Sequence, residues 1–160
     1  LKAFASDDPA VMALLNRRMR RFGLDPDAVI WLPTCPKPED HLRQYGLIDI
    51  ALDPFPNGGC TTTCEALWMG VPVITLCGTH YVSRMATAVL RGANLPEWVA
   101  QSQEEYLEIA HRAAGQLAAI RAGRRQLRAH LQASPLGDAA DLAQHLWRCF
   151  EQLVQEAQPH

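Results

Sequence analysis

The sequence predicts an α/β fold, a parallel sheet with flanking helices. Three observations carry that prediction. Short apolar runs of strand length recur at Val29-Ile30-Trp31-Leu32, Ile48-Asp49-Ile50-Ala51-Leu52 and Val71 to Leu76. Stretches with apolar residues at helical spacing lie between and after them. A glycine-rich loop, Asn57-Gly58-Gly59-Cys60, joins the end of one run to the start of a helix. Strands alternating with helices across short loops imply parallel pairing, and ligands bind such sheets at the carboxyl ends of the strands.

Asp7-Asp8-Pro9 reads as a helix start, with acids at the cap and proline in the first turn. Val11, Leu14, Leu15, Met19 and Phe22 then give an apolar stripe that Gly23 closes. Asp25-Pro26 is a turn, and Val29 to Leu32 a buried strand ended by Pro33. Pro38-Glu39-Asp40 opens a short helix carrying His41, Leu42 and Tyr45. Ile48 to Leu52 is a strand, Thr61 to Met69 a helix, Val71 to Leu76 a strand and Ser83 to Arg91 a helix. Leu95 to Val99 fits either a turn or an edge strand. Ser102-Gln103-Glu104-Glu105 resembles a capping box for a helix to about Ala114. Another helix is expected from Leu117 to about Leu131, then a break at Ser134 to Asp138. A last amphipathic helix, Ala139 to Gln158, carries Leu142, Leu146, Trp147, Phe150 and Leu153, a face read as core packing.

With 160 residues, 48% of them hydrophobic and 20% charged, the chain has the composition of a globular domain with a sizeable core. A formal charge of -2 gives no electrostatic reason to expect nucleic-acid or membrane partners. The basic clusters Arg17, Arg18, Arg20, Arg21 and Arg121, Arg124, Arg125, Arg128 lie in helical stretches and read as solvated faces. No apolar run reaches the ~18 residues of a membrane helix. Five scattered cysteines and no visible signal peptide point to free thiols in a reducing, cytoplasmic setting. Cys60 and Cys64 share a helix face, but no second ligand pair follows at zinc spacing, so a metal site is not expected.

The loop before Thr61 carries the chemistry. A helix that opens from glycines exposes backbone N–H groups and the positive end of its dipole, where phosphate binds without a metal or a lysine. Gly58 and Gly59 remove side chains where phosphates would press on backbone, and Thr61, Thr62 and Thr63 add hydroxyls. The bland alternative is an N-cap cluster on an ordinary strand-to-helix turn, and the residues alone leave both open. No Walker lysine is present, which disfavours a P-loop nucleotidase. Glu65, one turn further in, is either a favourable acid near a helix start or an acceptor for two ribose hydroxyls. His41 alone reads as readily as a surface or packing residue.

The flanking motifs extend this picture. Glu39-Asp40-His41-Leu42, Asp49-Ile50-Ala51-Leu52-Asp53, Gly59-Cys60-Thr61-Thr62-Thr63-Cys64-Glu65 and Ala66-Leu67-Trp68-Met69-Gly70-Val71-Pro72 occur in order. Gly78, Ser83-Arg84 and Ser134-Pro135-Leu136 follow. Together they resemble the C-terminal region of the protein O-linked N-acetylglucosamine transferases, above all the bacterial SPINDLY-type members (glycosyltransferase family 41). Weaker similarity continues to about Trp147.

The resemblance implies the C-terminal, Rossmann-like half of a GT-B glycosyltransferase, the half that holds the nucleotide sugar. It implies an inverting transfer, without metal or other cofactor, from UDP-N-acetylglucosamine to Ser or Thr hydroxyls of proteins. GDP-fucose is the alternative donor, and a non-catalytic nucleotide-binding or interaction module the alternative role. Carried over residue by residue, His41 contacts the nucleotide, Thr61 and Thr62 bind the diphosphate and Glu65 binds the ribose. Gly59, Cys60 and Thr63 complete the expected nucleotide-sugar site.

Two positions depart from the family pattern. The animal enzymes have histidine where Cys60 stands, and a lysine that contacts the base falls at Pro38, beside Lys37. The resemblance also implies that residues 1–133 form a nucleotide-sugar domain incomplete at its start. Residues 134–160 would then be a terminal helix packing on that domain or on an absent N-terminal half. The catalytic residues, that half and the tetratricopeptide repeats are expected upstream of Leu1. The chain by itself is accordingly expected to be inactive and only marginally folded.

Overall fold

The structure, a computed structural model, describes residues 8–157. Asp7 and Gln158, placed by sequence at the first helix start and the last helix end, lie outside the described residues. The chain divides into two compact units, residues 1–47 and 48–160.

In the first unit, helix α1 (Pro9–Arg21) starts where the sequence places it. The Asp8 carboxylate accepts the Ala10 amide at 2.8 Å, and Pro9 occupies the position whose missing N–H costs nothing. Gly23 ends it with φ 76°. The stripe is narrower than expected. Val11, Leu15 and Met19 are half-buried together with Met12 and Asn16, whereas Leu14 and Phe22 are exposed. Residues 29–32 form no strand. Val29 has extended backbone (φ -109°, ψ 120°), but no ladder among the described residues takes it in, and Ile30 is 78% exposed. Extended propensity makes a strand only where a neighbour supplies hydrogen bonds. Helix α2 (Pro38–Gln44) follows and runs into a 3-10 turn, Tyr45–Leu47.

The second unit holds the sheet. Strands β1 (Ala51–Leu52), β2 (Val73–Leu76) and β3 (Val99–Ala100) are parallel in the order β1-β2-β3. The register sets Ala51 beside Val73 and Thr75 beside Val99. β1 is shorter than the apolar run predicts, because Ile48 to Ile50 lie outside the ladder. The edge-strand reading of Leu95 to Val99 is met by Val99, after a 3-10 turn at Pro96–Trp98. Val73, Ile74 and Thr75 are all buried, as a central strand covered on both faces requires.

Helix α3 (Thr61–Trp68) connects β1 to β2, and α4 (Met85–Gly92) leads towards β3. Leu67, Val71, Ile74 and Leu90 are sealed from solvent. Helix α5 (Gln103–Ala114) buries Tyr106, Ile109 and Ala113 against Ile74 and Ala100. Its start departs slightly from a capping box. Ser102 Oγ accepts the Glu105 amide at 3.2 Å, but the Glu105 carboxylate accepts the amide of Gln101 rather than that of Ser102.

The single helix expected from Leu117 to Leu131 is two, α6 (Leu117–Ala122) and α7 (Arg124–Ala133). They part at Gly123, which loses the most backbone entropy in a helix. Gly70 turns α3 into β2 with φ 76°, and a Cβ there would meet the Arg124 carbonyl oxygen at 2.5 Å. Only glycine lets α7 approach this closely. The second basic cluster is not merely a solvated face. Arg121 pairs with Asp49, Arg124 donates to the Ile48 carbonyl, and the Arg128 guanidinium lies 4.3 Å from the Trp68 ring centroid. Arg17, Arg18, Arg20 and Arg21 are exposed as expected.

Helix α8 (Ala139–Glu156) buries no residue. Leu142, Leu146, Trp147, Phe150 and Leu153 are all exposed, so the core packing expected of that face is absent among the described residues. All five cysteines are free thiols, and no described helix is long and apolar enough to cross a membrane.

Candidate functional site

The glycine loop leaves the carboxyl end of β1 at Asp53 and enters α3 at Thr61. Asp53 is 6% exposed and joins the local elements. Its amide donates to the Ile74 carbonyl at 2.9 Å, continuing the β1–β2 pairing. Its carboxylate accepts the Gly59 N–H at 2.7 Å and the Thr75 hydroxyl at 2.7 Å. Its own carbonyl accepts the Tyr106 hydroxyl at 3.1 Å. Phe55 stacks edge-on against the Tyr106 ring at 5.5 Å. Burial pushes the Asp53 carboxyl above the usual carboxylate range, although the Thr75 and Gly59 hydrogen bonds pull the other way. Burial and the neighbouring Asp53 push the Tyr106 hydroxyl up to about 12, so it remains a donor at neutral pH.

The glycines fit this packing. A Cβ on Gly58 would stand 2.7 Å from Asp53 Oδ2, and one on Gly59 would stand 2.5 Å from Thr62 Oγ1. Cys60 is the N-cap residue of α3, yet its side chain makes no capping hydrogen bond. Thr61, Thr62 and Thr63 are the first helical residues, whose amides an α-helix does not bond itself. Thr61 and Thr62 are exposed, but Thr63 is 2% exposed and its side chain turns inward. Thr63 is thus closed off from solvent beneath the loop. Glu65 is half-buried one turn further on. Burial and the nearby Cys60 raise the Cys64 thiol above its ordinary value, which keeps it protonated.

Two cavities border the loop. One of about 390 Å³ lies beyond the carboxyl ends of β2 and β3, between Phe55, Gly78, His80 and Gln101. The other, of about 370 Å³, lies beside Cys60, between Tyr81, Arg84, Met85 and Leu136. His41 belongs to the first unit. It is half-buried on α2, its ring edge-on to Tyr45 at 5.5 Å. Among the described residues no group of three or more His, Cys, Asp or Glu is gathered to hold a metal ion.

The profile of glycosyl transferase family 41 matches residues 6–146. The chain belongs to glycosyl transferase family 41. Within that family it is 37% identical over 128 residues to the probable UDP-N-acetylglucosamine–peptide N-acetylglucosaminyltransferase SPINDLY of Petunia hybrida. That match covers 80% of this chain and 14% of the relative, so the chain spans about a seventh of that protein's length. The UDP-N-acetylglucosamine–peptide N-acetylglucosaminyltransferase of Caenorhabditis elegans is 38% identical over 90 residues, 56% of this chain and 8% of that one. A solved mutant O-GlcNAc transferase of Thermobaculum terrenum superposes with TM-score 0.83 and 36% identity, over 99% of this chain and 31% of its own. The family 41 chain thus has the expected α/β architecture of a GT-B glycosyltransferase.

Sequence reasoning found the loop and missed what braces it. Thr75 had a signal, a polar residue inside the apolar run Val73-Ile74-Thr75-Leu76. A hydroxyl buried in a central strand needs a partner. Asp53, at a strand end six residues before Gly59, is the partner it finds. Tyr106 comes from another element, and no local pattern announces it.

Proposed function

We propose that this chain is the donor-holding part of an enzyme that moves N-acetylglucosamine from UDP-N-acetylglucosamine to Ser or Thr hydroxyls of proteins. The reaction is an inverting transfer, without metal or other cofactor. The observation that carries the reading is the braced loop: Gly58 and Gly59, seated on Asp53, open onto Thr61 and Thr62 at a helix start. Preorganised N–H and hydroxyl donors there stabilise the charge that develops on a diphosphate leaving group as the glycosidic bond breaks. Thr61 and Thr62 take the diphosphate, Gly59, Cys60 and Thr63 shape the turn around it, and Glu65 takes the ribose hydroxyls. His41 is carried as a nucleotide contact by family resemblance alone. The names of the Petunia and Caenorhabditis relatives support the donor and the peptide acceptor. The groups that complete the transfer, a further half and tetratricopeptide repeats belong to the same proposal, as does a cytoplasmic setting.

Calorimetry with UDP and GDP, in EDTA and again with magnesium, tests it. UDP is expected to bind in EDTA, and Glu65→Ala to weaken it roughly 10- to 100-fold, the loss of charge-assisted hydrogen bonds to two hydroxyls. Preference for GDP would move the donor to a guanosine sugar. Binding of neither would leave the chain an interaction module.

A further inference from the structure

Asp53 is a buried acid to which the transfer reading gives no contact with the donor, and the geometry around it assigns it a task. Resting on that reading, we propose that Asp53 is the positioning residue of the diphosphate grip, setting the start of α3 without touching the ligand. Helix α3 lacks the usual means of fixing its first turn, since the Cys60 side chain does not cap it. The bond that holds the backbone lies one residue earlier, where the Gly59 N–H meets Asp53 Oδ1 at 2.7 Å.

The other oxygen is held from β2 by the Thr75 hydroxyl at 2.7 Å, and the Asp53 carbonyl is held from α5 by Tyr106. The loop's anchor is therefore tied to a central strand and a core helix. The absent side chains at Gly58 and Gly59 let the loop backbone rest on that carboxylate. Displacing a ligand-binding group by about 1 Å is enough to lose most of its contribution. Releasing Gly59 moves the whole Cys60-Thr61-Thr62 turn, so the effect is confined to whatever that turn holds.

Asparagine separates geometry from charge. Its carbonyl can accept the Gly59 N–H while its amide donates to Thr75 Oγ1, which keeps both ties and removes the negative charge. The test is calorimetry on the full chain with UDP, inorganic pyrophosphate and uridine as probes. Asp53→Ala is expected to weaken UDP and pyrophosphate at least tenfold and leave uridine within twofold, while Asp53→Asn keeps all three within threefold of wild type.

Equal loss for uridine and UDP in Asp53→Ala would mean general destabilisation and overturn the proposal. So would unchanged UDP binding in Asp53→Ala, or a loss in Asp53→Asn as large as in Asp53→Ala. Should Asp53→Ala not fold, Thr75→Val removes one tie only and is expected to weaken UDP two- to fivefold without affecting uridine; unchanged UDP binding there overturns the proposal as well. Wild-type protein that binds none of UDP, GDP or pyrophosphate would end the donor reading and this proposal together. Wild-type binding with an indifferent Asp53→Ala would end this proposal alone.

Discussion

The Arg121 guanidinium holds both oxygens of Asp49, at 2.8 and 2.7 Å, across 72 residues of sequence. The pair ties α6 to the segment entering β1, and Arg124 of α7 approaches the same carboxylate at 3.9 Å. The Arg121 hydrogen bonds hold the Asp49 carboxyl below the usual carboxylate range, against a smaller opposing effect of burial. A folded-state value below the unfolded one gives stability that is present above about pH 3.9 and lost as pH falls through the folded value. Asp49→Asn is therefore expected to be less stable than wild type at pH 7, with the gap closing as pH falls below the usual carboxylate range. Thermal midpoints of both proteins across that range check it, and a gap constant with pH would exclude the ionic pair as its source.

Asp53 has the opposite sign. Its carboxyl is raised by burial, so the folded chain takes up the proton more readily than the unfolded chain. The stability linked to that proton is complete below about pH 3.9 and disappears as pH rises through the folded value. Asp53→Asn carries no charge to desolvate and keeps both ties. It is expected to gain on wild type at pH 7 and to lose that gain by about pH 4. Chemical denaturation at the two pH values reads the difference directly.

Gly59→Ala puts a methyl group 2.5 Å from Thr62 Oγ1 and 3.3 Å from Asp53 Oδ1. Neither group is the end of a long flexible side chain, so the loop must move. A loss of about 1–3 kcal/mol in stability is expected from the overpacking. UDP binding should fall about tenfold, equivalent to ~1.4 kcal/mol. Binding at wild-type strength would show that the loop geometry does not matter to the ligand.

Gly70→Ala serves as a comparison away from the ligand. It incurs the left-handed penalty of about 1–2 kcal/mol and a contact of 2.5 Å with the Arg124 carbonyl oxygen. A total loss of roughly 2–4 kcal/mol is expected by urea denaturation, with the overpacking share taken from core data. UDP affinity of the folded fraction should stay within about twofold, since α3 is disturbed at its end and not its start.

Helices whose ends are set locally were legible. Asp8-Pro9 and Gly23 bound α1, and Ser102 bounds α5, because caps act within a few residues of where they stand. The phosphate-type loop was legible for the same reason, since its glycines and threonines are contiguous. Features that need a distant partner were not. Residues 29–32 have strand composition without a ladder, and β1 pairs over two residues where five were expected. The Arg121 to Arg128 cluster reads as solvated until Asp49, Ile48 and Trp68 are brought to it. Thr75 and Asp53 lie 22 residues apart, and their bond exists only because β1 and β2 are parallel neighbours.

The cation over Trp68 gives α3 an optical end as well as a chemical one. Eight residues of helix make a rod of about 12 Å, with Thr61 at one tip and the Trp68 indole beneath Arg128 at the other. A charged group at that distance from an indole face perturbs its emission. A shift of the Trp68 end of α3 against Arg128 of α7 would be written as a change in Trp68 brightness. With Trp31, Trp98 and Trp147 replaced by phenylalanine, Trp68 becomes a gauge of the contact between α3 and α7, readable without a label.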